Sequence, residues 1–167
     1  MKSLVLAGTL MTALMGCNDT GIEEVPLTVG DSASYATEVQ TYVGYRCASL
    51  DCHGDMGRTL RIYAERGLRG QDVLRNQRIS TPEIEENLLS FAAFDSLGGP
   101  IAEHQILLKA LAVSAGGMAH EGGAVWSDTD APGYRCVAAW LSGLSTDTAA
   151  QAACAEATAE VVPNEIN

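Results

Sequence analysis

Aromatic side chains are scarce in this chain. Two Phe, two Trp and five Tyr make up 5% of 167 residues, so these alone cannot fill a large core. Basic residues are scarce too, with 10 Lys and Arg against 21 Asp and Glu, a net charge of −11. Nucleic-acid binding draws most of its affinity from basic patches on phosphate, so that partner class is excluded. Strand-like alternation, internal repeats, Ser-His-Asp spacing, H-E-x-x-H and a phosphate loop are all missing. Without them no catalytic machinery is legible, and the chain reads as something other than an enzyme. Paired acids such as Glu23-Glu24 and Glu85-Glu86 read as solvated faces.

The one strongly apolar run stands at the start, in "MKSLVLAGTLMTALMG". One cation at Lys2, an apolar stretch through Met15 and a small residue ahead of Cys17 give the layout of a secretory signal, and the run is too short for an ordinary membrane span. Leu14-Met15-Gly16-Cys17 resembles the lipobox of bacterial lipoproteins. That resemblance implies cleavage before Cys17, lipidation of Cys17, and anchoring to a bacterial cell membrane on its periplasmic side or outer surface. Removing residues 1–16 takes away only Lys2, which moves the net charge to −12. A protein met through charge should then present a basic docking face.

Export places the remaining cysteines where thiols tend to pair. With Cys17 assigned to lipid, four are left: Cys47, Cys52, Cys136 and Cys154. The last two lie on consecutive helical patterns joined by "SGLSTD", and an antiparallel helix pair would bring them within disulfide range.

The expected fold is all-α. Residues 17–33 form a polar tether, 34–157 a small helical domain, and 158–167 a disordered tail. Tyr35, Val39, Tyr42 and Val43 mark one helix face, with Ser34 as its cap. Ser80 and Glu83 have capping-box spacing, Pro82 suits the first turn, and Ile84, Leu88 and Phe91 form the apolar stripe. "IAEHQILLKALAV" reads as a buried helix or extended segment, with His104 on the surface. Five glycines between Gly116 and Gly133 predict a loop packed against something. Tyr134, Val137, Trp140 and Leu141 recur at helical spacing, and Asp147 caps an Ala-rich last helix.

The chemistry concentrates in "RCASLDCHGD". A c-type haem site usually reads C-x-x-C-H, whereas four residues separate Cys47 from Cys52 here. Covalent haem needs two thiols at the vinyl groups and an imidazole under the iron, and the adjacency of Cys52 and His53 suits the second need. The same segment can instead close a small disulfide loop, or give zinc or copper a set made of Cys47, Cys52, His53 and His120.

Together "CHG", "GRTLRIY", "ILLKALA", "HEGG" and "YRCVAAWLSG" are similar to the cytochrome c-like domains of exported proteins from planctomycetes and myxobacteria, over about Val39 to Gly143. The resemblance implies a haem c cofactor with Cys47 and Cys52 as thioether positions and His53 as the proximal iron ligand. The distal ligand comes from the glycine-rich loop, His120 being favoured and Met118 the alternative. Arg58 and Arg61 would pair with propionates or sit on a solvated helix face. The implied function is a membrane-anchored electron carrier serving redox partner proteins. Its alternative is a haem-free, disulfide-stabilised envelope lipoprotein that acts as a binding or structural module.

Overall fold

The computed structural model describes residues 30–71, 74–94 and 98–162. Among them are helices and two isolated β-bridges, Tyr63 with Leu68 and Leu111 with Trp126, but no strand. The all-α expectation holds. The signal peptide, the Cys17 lipidation site and most of the tether lie outside the described residues.

Helix α1 is continuous through three segments, Ser32–Ser34, the π-helical Tyr35–Val39, and Gln40–Arg46. Its cap is Asp31 and not Ser34: the Asp31 carboxylate accepts the Ser34 amide at 2.8 Å, so the helix starts inside the stretch read as tether. The expected face is the buried one, with Tyr35, Val39, Tyr42 and Val43 all in the core. Helix α2 spans Thr81–Ala92 and begins with the predicted capping box between Ser80 and Glu83.

"IAEHQILLKALAV" divides into a 3-10 turn, Ile101–Glu103, and α3, Gln105–Ala110. His104 corrects the surface assignment. It is fully buried, and its Nδ1 accepts the Ile106 amide at 3.2 Å as the cap of α3. Helix α4, Pro132–Leu141, buries Val137, Trp140 and Leu141 but leaves Tyr134 at the margin of the core. Helix α5, Thr148–Val161, is capped by Asp147 as expected. It runs past residue 157 into the stretch read as tail, because Ala157 still packs in the core and Val161 against it.

Cys136 and Cys154 join α4 to α5 by a disulfide, Cα to Cα 4.6 Å, with 18 residues of sequence separation. Closing a loop of that length removes unfolded-chain entropy worth about 3 kcal/mol. Replacing both cysteines by alanine should therefore lower the urea-unfolding free energy by about that much.

Polar groups tie the remaining segments together. Asn87 on α2 is fully buried, accepts the Tyr63 amide at 2.7 Å, and donates to Gln40 of α1 and to the Tyr63 carbonyl, each at 3.0 Å. The Asn87 amide therefore satisfies backbone that would otherwise be stranded without water. It also fixes the coil after the cysteine segment against both helices.

Candidate functional site

Residues 47–54 form a folded-back loop. The Cys47 carbonyl accepts the His53 amide at 3.0 Å, and the Ser49 carbonyl accepts from Cys52 at 3.0 Å and Gly54 at 2.9 Å. The Ala48 carbonyl is packed between Gly54 and Gly67. A Cβ at either glycine would lie 2.2 Å from that oxygen, so neither position admits a side chain without moving backbone. This clamp sets the direction in which His53 leaves the loop. Its Nδ1 lies 3.0 Å from the Leu60 carbonyl, and its own carbonyl accepts the Ile62 amide at 2.8 Å.

The glycine-rich loop is pinned to α3 from the other side. The Met118 amide donates to Leu108 at 2.8 Å, Lys109 Nζ donates to the Ala119 carbonyl at 3.1 Å, and Val125 and Trp126 both donate to Ala110. Gly122 and Gly123 take positive φ, at 95° and 87°. That left-handed turn brings the Gly123 carbonyl to 3.0 Å from His120 Nδ1.

The two loops present their imidazoles to each other. The rings of His53 and His120 lie nearly parallel, 10° apart, with centroids separated by 5.9 Å. A carbonyl oxygen can only accept, so each Nδ1 donates a proton to its carbonyl. Burial, first of all, holds His53 below the usual histidine range, with the charges of His120 and Arg58 adding to the effect. His53 is therefore neutral at pH 7.

Around them opens a cleft of about 620 Å³. Leu60, Phe94, Ile106 and Ala119 supply apolar wall, and the charged lining is balanced, Arg58 and Lys109 against Asp51 and Glu121. Arg58 also spans the mouth to Glu121 at 3.7 Å, an exposed contact that can open at little cost. Of the cleft residues named in advance, Cys52, His53, Arg58 and His120 line it; Met118 does not, being 45% exposed. Arg58 and Arg61 lie on no helix, which corrects the helix-face reading. Phe94, Gln105, Ile106 and Lys109 were not foreseen. The apolar "ILL" was legible as a buried helix or extended segment, and which of its faces meets the cleft depends on a distant loop.

Comparison with protein-family models, with curated proteins and with solved structures found no match to this chain.

The haem c expectation is corrected. Among the described residues, no three His, Cys, Asp or Glu side chains come together as a set that could hold a metal ion. The donors are dispersed: Cys52 stands exposed on the rim, Cys47 points into protein, and Met118 lies outside the cleft. The Cys47 residue keeps some exposed area, but its thiol is enclosed, and burial pushes it up to about 12, so it stays protonated. The iron cofactor is withdrawn, and with it the zinc or copper set of Cys47, Cys52, His53 and His120. Cys47 and Cys52 are also unbonded to each other, so the small disulfide loop is not formed here.

A second cluster escaped sequence reading. Arg69 and Glu83 are both buried and form a two-pronged ion pair, Nε to Oε1 at 2.8 Å and Nη2 to Oε2 at 2.7 Å. The same carboxylate accepts the Gly70 amide, the Ser80 amide and the Ser80 hydroxyl at 2.8–2.9 Å. Arg69 also donates to the carbonyls of Leu74, Gln77 and Arg78. All of these bonds are directed inward, so the cluster holds the coil before α2 in place.

Proposed function

We propose that this chain is an envelope lipoprotein, exported and held at a bacterial membrane through Cys17, whose small cytochrome c-like helical domain works as a binding module. Its ligand is a flat, largely apolar molecule, taken between the cysteine–histidine loop and the glycine-rich loop. The observation that supports this most is the pair of parallel imidazoles at an apolar-walled cleft. The imidazole faces suit stacking by a planar guest, and the apolar walls favour desolvating it. Electron carriage was expected together with an iron centre and is not carried forward. No helix among the described residues is long and apolar enough to cross a membrane, and an anchor at Cys17 does not require one.

The test uses 1-anilinonaphthalene-8-sulfonate, a planar apolar anion whose fluorescence rises on burial. The native protein should bind it saturably. Ile106→Glu, which puts a like charge into the cleft, should weaken binding at least ~10-fold, the equivalent of about 1.4 kcal/mol. Lys109→Gln should weaken it less and reduce its dependence on salt. Binding that is unaffected by Ile106→Glu in a folded variant would place the dye elsewhere and remove the proposal.

A further inference from the structure

We propose that Cys47 and Cys52 are a redox-active dithiol which closes to a disulfide by exchange with an organic disulfide, and that closing it reshapes the ligand cleft.

The geometry carries this in three ways. First, the two cysteines stand at the ends of a loop whose backbone is already closed, the Cys47 carbonyl accepting the amide of the residue after Cys52 at 3.0 Å. A preformed loop has little chain entropy left to lose on cross-linking. Second, the two thiols differ in access. Cys52 is exposed while the Cys47 thiol is enclosed, so an incoming disulfide meets Cys52 first and Cys47 is left to resolve the adduct. Third, Cys52 and its neighbour His53 both line the cleft, so any movement of Cys52 is felt where the ligand sits. The other two cysteines of the described domain are already joined and take no part.

The steps balance without any further reagent. The Cys52 thiolate attacks one sulfur of R–S–S–R, forming Cys52–S–S–R and releasing R–S⁻, which takes up the proton Cys52 gave. The Cys47 sulfur then attacks that of Cys52, its proton passing to the second R–S⁻ as that group leaves. Two protein thiols are oxidised and one organic disulfide is reduced to two thiols. Cys52 forms part of the cleft wall beside His53, so drawing its sulfur toward Cys47 alters that wall and the closed form binds its ligand more weakly.

The coupling to binding rests on the cleft reading above, whereas the dithiol itself does not. The chain carrying Cys17→Ser is equilibrated in buffers of reduced and oxidised glutathione, alkylated and mapped by mass spectrometry. Dye affinity is measured on the reduced and oxidised samples. The expected result is one new intramolecular link between Cys47 and Cys52, an unchanged Cys136–Cys154 bridge, and severalfold weaker dye binding. Cys47→Ser should stop at the glutathione adduct on Cys52. Native protein that also stops at that adduct at every buffer ratio, with Cys47 still alkylated, overturns the dithiol. Equal dye affinity in the open and closed forms overturns the coupling. Failure of both forms to bind dye overturns the cleft reading and the coupling together, while the disulfide map still decides the dithiol.

Discussion

Glu83→Gln should destabilise the domain by about 3–5 kcal/mol at pH 7, the usual cost of removing one partner from a buried ion pair. The substitution keeps shape and some hydrogen-bonding capacity but removes the charge that compensates the buried Arg69 guanidinium. The Arg69 hydrogen bond, first, together with the bonds from Ser80 and Gly70, holds the Glu83 carboxyl down at about 2, against an ordinary 4.5. In the folded state Glu83 therefore releases its proton more readily than in the unfolded chain, and its contribution is fully present above pH 4.5. It is lost progressively as pH falls from there toward 2, because over that range the unfolded chain binds more protons. A displacement of that size corresponds to roughly 3 kcal/mol. Urea unfolding followed by circular dichroism at pH 7 and pH 3 measures both effects: the native protein should weaken on acidification, and Glu83→Gln should weaken less. His53 acts in the same direction at higher pH. Its folded value lies below the ordinary histidine range, so stability also declines as pH falls below about 6.5.

These same residues show how far sequence reaches. Ser80 and Glu83 were legible as a capping box, because that motif is local and its spacing is fixed by the helix. That the same carboxylate also neutralises Arg69 was not legible, since the two stand fourteen positions apart with no shared local motif. Asp147, the α1 face, and Cys136 with Cys154 could be read for the same local reason: helical period and cap chemistry are properties of short windows. His104 was misread for an instructive reason. Its neighbours Glu103 and Gln105 are exposed and polar, yet a residue that caps α3 turns inward at the junction of two helical segments. In the cleft, the family resemblance implied His53 and His120 on opposite sides of an iron, and the structure has their rings side by side and nearly parallel. What failed was the further step from two imidazoles and two thiols to an iron site, because linear adjacency of Cys52 and His53 says nothing about where the sulfurs point. The walls contributed by Phe94, Ile106 and Lys109 depend on how α3 lies against the loops, a long-range property without a local signature.

Trp140→Ala should also cost about 3–5 kcal/mol, the range for emptying a buried aromatic site. Trp140 is fully buried at the middle of the scarce aromatic set, with Tyr35 at 5.1 Å and Phe91 at 5.4 Å between ring centroids, the latter nearly perpendicular at 83°. Those contacts join α4 to α1 and α2, so the cavity would open where three helices meet. The indole does more than fill volume. Its Nε1 donates to the Asp31 carbonyl at 3.1 Å, and Gly30 passes so close that a Cβ there would lie 2.2 Å from the same nitrogen. Asp31 is the cap of α1, so loss of the indole also loosens the point where the chain enters the domain. Trp140→Phe separates these contributions. It keeps most of the apolar contact and loses the hydrogen bond, and should cost about 1–2 kcal/mol beyond its smaller packing volume. Hydrogen exchange at the Ser34 and Tyr35 amides is the discriminating measurement, since both are held by Asp31. Both variants should speed exchange there more than in α5. Uniform acceleration across the domain would mean that Trp140 acts only through packing and not through the helix start.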